Sequence, residues 1–263
     1  MEASLTGKKL LMQLANLKSP EVEALSRDTP VVVPIAALEQ HGLHLPLFTD
    51  SLLLGEIVRR ADARLANLAV FAPLMWLGNS DHHLDFSGTL SAPPRTYLDL
   101  LSGLAENLVF HGFKRLIFLN GHGGNDVPGR QAVFEVRQRH RGRADLLLLL
   151  ATYWNLADPT SLPQLGLRQS QLLHACEWET SMILRLAPDL VGEIRSLDPV
   201  APGNAFEPAS RAWITKDRSA LGHIGDPREA TAEKGEGLFQ AYADGVVGLV
   251  ERVIAWNGKD WEG

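Results

Sequence analysis

Apolar residues dominate four stretches of the chain, residues 31–37 (VVVPIAA), 68–74 (LAVFAPL), 115–119 (RLIFL) and 145–151 (DLLLLLA), the last two opened by a charged residue. Polar or glycine-rich sequence follows the first and third at once. Continuous runs of this length, rather than strict alternation, suit strands covered on both faces. Between and after them, apolar positions recur at helical spacing over residues 51–65, 96–111, 129–140, 177–186 and 231–256. Gly112 and Pro188 supply natural stops for two of these helices. Strands alternating with helices predict an α/β fold, a three-layer α/β/α sandwich on a mostly parallel central sheet. There are no internal repeats, and residues 1–263 read as one domain. Residues 200–227 are rich in glycine, proline and polar side chains and read as a loop, either a lid or an oligomer contact.

Composition narrows the function classes. The chain has 263 residues, 45% hydrophobic and 21% charged, enough to bury a core without disulfide staples. Its formal net charge is -6 and no basic stripe appears, which argues against nucleic acid as a partner. Every apolar run, residues 146–152 included, is far short of the ~20 needed to span a bilayer. Residues 1–11 lack the apolar core and cleavage site of a signal peptide. The lone cysteine, Cys176, excludes internal disulfides and a Cys-rich zinc site. This fits a reducing cytoplasm. Cys176 itself reads as a small buried apolar residue rather than a nucleophile.

Ligand sites of parallel α/β sheets lie at the carboxyl ends of the strands, and polar clusters sit there. Glu39, His41, His44 and Asp50 follow the first strand. Imidazole nitrogen mixed with carboxylate oxygen suits zinc or manganese. Glu39 and His41, two apart, share a direction in extended chain. The alternative is a polar loop with Asp50 capping the helix that begins at Ser51. Residues 120–125 (NGHGGN) follow the third strand, where His122 offers a ligand and Gly123 and Gly124 permit close backbone approach. His174, Glu177 and Glu179 precede or open a helix. Rotation of roughly 100° per residue would bring Glu177 to the His174 face and turn Glu179 away. First-turn acids complementing the helix dipole are the alternative there. Residues 79–90, with His82 and His83, read as a loop that lines a pocket or simply lies on the surface. Trp154 follows the fourth strand and reads as a pocket wall.

Together these clusters resemble the creatininase family (creatinine amidohydrolase-like proteins). The matching residues are Glu39-Gln40-His41-Gly42, His44-Leu45-Pro46, Thr49-Asp50, Ser87-Gly88-Thr89-Leu90-Ser91 and Asn120-Gly121-His122-Gly123-Gly124-Asn125. His174 with Glu177, Glu179, Thr180 and Ser181 follows, then Gly225 with Ala230-Thr231-Ala232-Glu233-Lys234-Gly235, all in the family's order. The resemblance implies a parallel sandwich, a homohexamer and two divalent metal ions, zinc foremost, with manganese or iron possible. It implies that Glu39 and His122 bind one metal, His41 the other, and that Asp50 bridges them. His174 would move a proton, with Glu177 or Glu179 as the alternative carrier, and Trp154, Gly123 and Gly124 would line the substrate pocket. The implied reaction is attack of a metal-activated water on a non-peptide or cyclic amide, whether creatinine-like, lactam or formamide. One position departs from the pattern: creatininase itself has a metal-binding glutamate where this chain has Gly124. The last ligand to the second metal must then come from elsewhere, with Glu177 and Glu179 nearest. The Gly-Gly form resembles branches acting on formamide or peptide substrates, so peptide trimming is one alternative and a noncatalytic small-molecule binder the other.

Overall fold

The computed structural model describes residues 12–203 and 205–259; the reading of residues 1–11 lies outside them. Among the described residues four strands form one parallel sheet in the order β2-β1-β3-β4. They are β1 (Val31–Ile35), β2 (Val70–Phe71), β3 (Arg115–Asn120) and β4 (Leu147–Thr152). Register runs straight across, with Val33 opposite Phe118 and Phe118 opposite Leu150. The second strand is much shorter than the apolar run around it. Pro34 has no N–H to give a neighbour, and β2 has already ended at Phe71 beside it. The chain regains the sheet only where Met75 N bonds Pro34 O and Ala36 N bonds Met75 O.

Among the described residues six α-helices surround the sheet: α1 (Ser19–Glu23), α2 (Thr49–Leu65), α3 (Pro94–Phe110), α4 (Asp126–Arg139), α5 (Glu177–Leu186) and α6 (Ala232–Ala255). Two apolar cores lie on opposite sheet faces. Val32, Ile117 and Leu119 pack with α2, α5 and α6, while Val31, Val33, Ile35, Leu116 and Phe118 pack with α3 and α4. Alternate strand residues thus enter opposite cores, which is why both faces read as apolar. No described helix is long and apolar enough to cross a membrane.

Two local expectations change. Asp50 does not cap a helix from Ser51: α2 begins at Thr49, and Asp50 sits buried in its first turn. His174 is not on a helix. Ala175 takes a positive φ of 50°, Cys176 is the N-cap, and α5 starts at Glu177. The helical rotation that paired Glu177 with His174 therefore does not operate.

Candidate metal centre

Hydrogen bonds lock the loops at the strand ends into a rigid floor. Asn120 side-chain Nδ2 donates to His122 O at 2.7 Å and to Thr152 Oγ1 at 3.1 Å, while its Oδ1 accepts from His122 N at 3.0 Å. Asn125 Nδ2 donates to Ala36 O, and its Oδ1 accepts from Asn79 N, tying the loops after β1, β2 and β3 together. Gln40 is a second buried hub. Its Oε1 accepts from Gly42 N, and its Nε2 donates to Gly222 O and lies 2.7 Å from His83 Nδ1 and 2.9 Å from His174 Nε2.

On this floor, carboxylates and imidazoles converge. Asp50 stands between two histidines, with Oδ1 3.1 Å from His41 Nε2 and Oδ2 3.0 Å from His122 Nδ1. Glu39 Oε2 lies 3.4 Å from His122 Nε2, and its Oε1 lies 3.3 Å from His83 Nε2 and 3.7 Å from His174 Nδ1. Glu179 Oε1 lies 3.9 Å from His41 Nε2. Donor atoms of Glu39, His41 and Asp50 fall within 4.8 Å of one another, as do those of His41, His174 and Glu179 and those of Glu39, His82 and His122.

The residues fit divalent cations. Glu39 Oε2 and Asp50 Oδ2 are buried and accept no hydrogen bond; the imidazole beside each is close but poorly aligned. Buried carboxylate oxygens without partners are costly, and a cation held by these oxygens and the adjacent nitrogens removes that cost.

Charge coupling is strong. Burial opposes charge on His41, but Asp50, with Glu179 and Glu39 behind it, pushes the imidazole up to about 10. Burial likewise opposes charge on His122, where Glu39 and Asp50 raise it to about 9. Burial lifts Glu179 to about 7 against the pull of His41. Glu39 goes the other way: despite its burial, His122 and His83 hold it well below the usual carboxylate range. His174 falls well below the ordinary imidazole value, through burial and then the neighbouring His41 and His83. Burial pushes the Cys176 thiol up to about 12, which leaves it protonated and unreactive.

The cluster opens into a cavity of about 600 Å³. Glu39, Asp50, His122, Gly123, Gly124, Trp154, His174 and Glu179 all line it. His41 lies buried behind this wall, bonded to Asp50 and to Glu39 O. Glu177 does not join the site. Its carboxylate is fully buried away from the cavity and accepts from Arg168 N, Gln169 N and Lys234 Nζ, the last at 2.6 Å. It is a fastening between the 168–169 loop, α5 and α6, and the expectation of proton transfer by Glu177 is corrected. Two residues along α5, Glu179 turns toward the cavity instead.

Gly124 has a steric reason to be glycine. A Cβ there would lie 2.0 Å from Asn79 O and 2.5 Å from His122 Nε2. His122 Nε2 lies 2.9 Å from Asn79 O, and because the atom nearest the added Cβ is this backbone oxygen, no side chain, glutamate included, fits this backbone. The loop after β2 contributes more than the sequence suggested. His83 faces Glu39, and His82 stacks on His122 with ring centroids 5.8 Å apart. Their position after a strand end was the available signal. Arg211, Trp213 and Arg218 also line the cavity, and nothing in their local sequence marked them.

Comparison with known proteins gives a consistent answer. The family model described as creatinine amidohydrolase matches residues 15–250. A mycofactocin precursor peptide peptidase from Mycolicibacterium smegmatis is 33% identical over 233 residues, covering 86% of this chain and 85% of the relative. A creatinine amidohydrolase from Pseudomonas putida is 28% identical over 246 residues, covering 89% and 93%. The solved structure of a manganese form of creatininase superposes with a TM-score of 0.78 at 26% identity, covering 92% of this chain and 98% of that one.

Proposed function

Because the chain belongs to the creatininase family, we propose that it is a metal-dependent amidohydrolase that uses the strand-end cluster to cleave a small non-peptide or cyclic amide, whether creatinine-like, lactam or formamide. The observation that carries this reading is Asp50, buried between His41 and His122 with a carboxylate oxygen toward each. Glu39 and His122 would hold one divalent ion, His41 and Glu179 the other, with Asp50 shared between them. Zinc suits this donor set, and manganese or iron is compatible with it. Such ions, when bound, lower the pKa of a water toward neutrality and polarise an amide carbonyl.

The remaining roles fall to the chain itself. His174 is held by Gln40, its Nε2 2.9 Å from both the side-chain Nε2 and the main-chain O, and its Nδ1 is directed at Glu39. From the cavity wall it would carry a proton to the departing nitrogen. The open face of Gly123, where a Cβ would meet nothing within 4 Å, leaves room for the substrate carbonyl. Trp154, packed edge-on against Tyr153 at 5.0 Å, would fix the substrate plane. The whole chain would act as one hydrolase domain, in the cytoplasm and as a homohexamer.

One observation favours a second reading, peptide trimming. A cavity of about 600 Å³ is generous for a single small ring, since sites of roughly 300–1,000 Å³ enclose drug-sized ligands. A panel of lactams, N-formyl amines and short peptides, assayed with the metal-reconstituted protein, separates the two. Turnover confined to lactams or formamides supports the first reading and turnover confined to peptides the second. Inertness toward the whole panel, with metal bound, would sink both in favour of a binding protein.

A further inference from the structure

The cavity has a second wall opposite in charge to its floor. Arg211, Trp213 and Arg218 line it. The same three residues line a second recess of about 250 Å³, closed by Pro202, Gly203 and Ser210. The two spaces are therefore separated by, and share, a pair of guanidinium groups and one indole. Every described charged or hydroxyl side chain of the recess is a potential donor, and no carboxylate lines it.

The arginines are placed with little internal reason. Among the described residues neither has a carboxylate within ion-pair distance, although arginines elsewhere in the chain are commonly paired. Arg218 is half-buried, lies over the Trp213 ring at 4.6 Å and spends one N–H on Pro202 O at 2.7 Å. Its plane is thereby fixed while other donors of the fork remain uncommitted. Burial, and then the like charge of Arg211, press its pKa down. Two cations held together, one partly desolvated, await an anion.

This wall is tied to the catalytic floor. Thr215, buried between Trp213 and Arg218 in sequence, donates from Oγ1 to His82 O at 2.7 Å and lies 2.7 Å from His83 Nδ1. His83 in turn faces Glu39, and Trp213 meets the His82 ring edge-on at 5.1 Å. The segment read from sequence as a lid or an oligomer contact thus packs against the site, and its two cations line the same cavity.

We propose that the recess is a subsite for a carboxylate carried by the amide substrate, with Arg211 and Arg218 as its specificity-determining residues. The planar guanidinium fork matches a carboxylate in two-point contact. The amide would lie over the floor and the acid would reach the wall, which selects amides bearing a remote carboxylate over neutral ones. This rests on the hydrolase reading above.

The test uses the metal-loaded protein and two probes, N-acetylglycylglycine and its C-terminal amide, titrated by calorimetry with hydrolysis followed in the same samples. The acid should bind roughly tenfold more tightly than the amide. Arg211→Gln/Arg218→Gln should bring the two to parity with metal content unchanged. Arg211→Gln alone, at an exposed position that leaves Arg218 packed, should remove part of the preference. Equal binding by the unaltered protein, failure of both probes to bind, or a preference that survives in the double variant overturns the subsite. An arginine-dependent preference without hydrolysis of either probe would leave the subsite standing and count against the hydrolase reading instead.

Discussion

The floor of the cavity and its arginine wall are built by different means. The floor draws Glu39, His41 and His122 from the first residues after two strands, and Asp50 from the first turn of α2. All four are buried, and each is fixed by close contacts within the loop network. The wall draws Arg211, Trp213 and Arg218 from a segment with only a three-residue 3₁₀ turn, anchored mainly through Thr215. A sheet can hold several donor atoms within a few ångströms because its strands end in register; a loop can offer charge and area but less rigid geometry. Chemistry is therefore expected from the floor and selectivity from the wall.

The sharpest way to break that division lies on α5. Glu179→Gln removes a cavity carboxylate and should lower kcat/KM by at least ~100-fold while leaving the far-ultraviolet circular dichroism unchanged. Near-normal kcat/KM with full metal loading would remove Glu179 from the floor. Glu177→Gln should do the converse. It leaves Lys234 facing a neutral amide and weakens the bonds from Arg168 N and Gln169 N, at a cost of about 2–3 kcal/mol. A lower midpoint in thermal unfolding with kcat retained is the expected pair of results; lost kcat at full stability would return Glu177 to the chemistry.

A smaller effect comes from outside both regions. Asp62, on α2, is buried with Oδ1 unpartnered, and Gln13 Nε2 bonds its other oxygen. Burial raises its pKa, against the hydrogen bonds from Gln13 and Met12. A carboxyl raised in the fold favours folding while protonated and loses that contribution as pH rises through the folded value. At neutral pH the ionised group is a cost. Asp62→Asn should therefore raise the melting temperature at pH 7, with the gain shrinking toward about pH 4, the ordinary aspartate range. A gain that grows as pH falls would contradict the assignment.

The same contrast explains what could be read from the chain. The four apolar runs and the helical spacings mark strands and helices because packing on two faces imposes those patterns. The floor was visible because Glu39, His41 and His122 follow such runs at once. Three features escaped for physical reasons. Leu68 and Leu74 look like strand residues, but Leu68 N still bonds Leu65 O in the turn that ends α2, and beyond Phe71 Pro34 on the neighbouring strand has no N–H to extend the ladder. The roles of Glu177 and Glu179 depend on the left-handed turn at Ala175, which no periodicity announces. The arginine wall depends on tertiary folding of a segment without periodicity, so position 218 carries no local sign of facing a cavity that Glu39 also lines.

The central claim is that Asp50 joins two cation sites on one floor. Elemental analysis of the gently purified protein and of Asp50→Ala tests it most directly. The account predicts about two equivalents of divalent transition metal per chain, falling toward zero in the variant with the fold retained. A variant that keeps its full metal complement would contradict it.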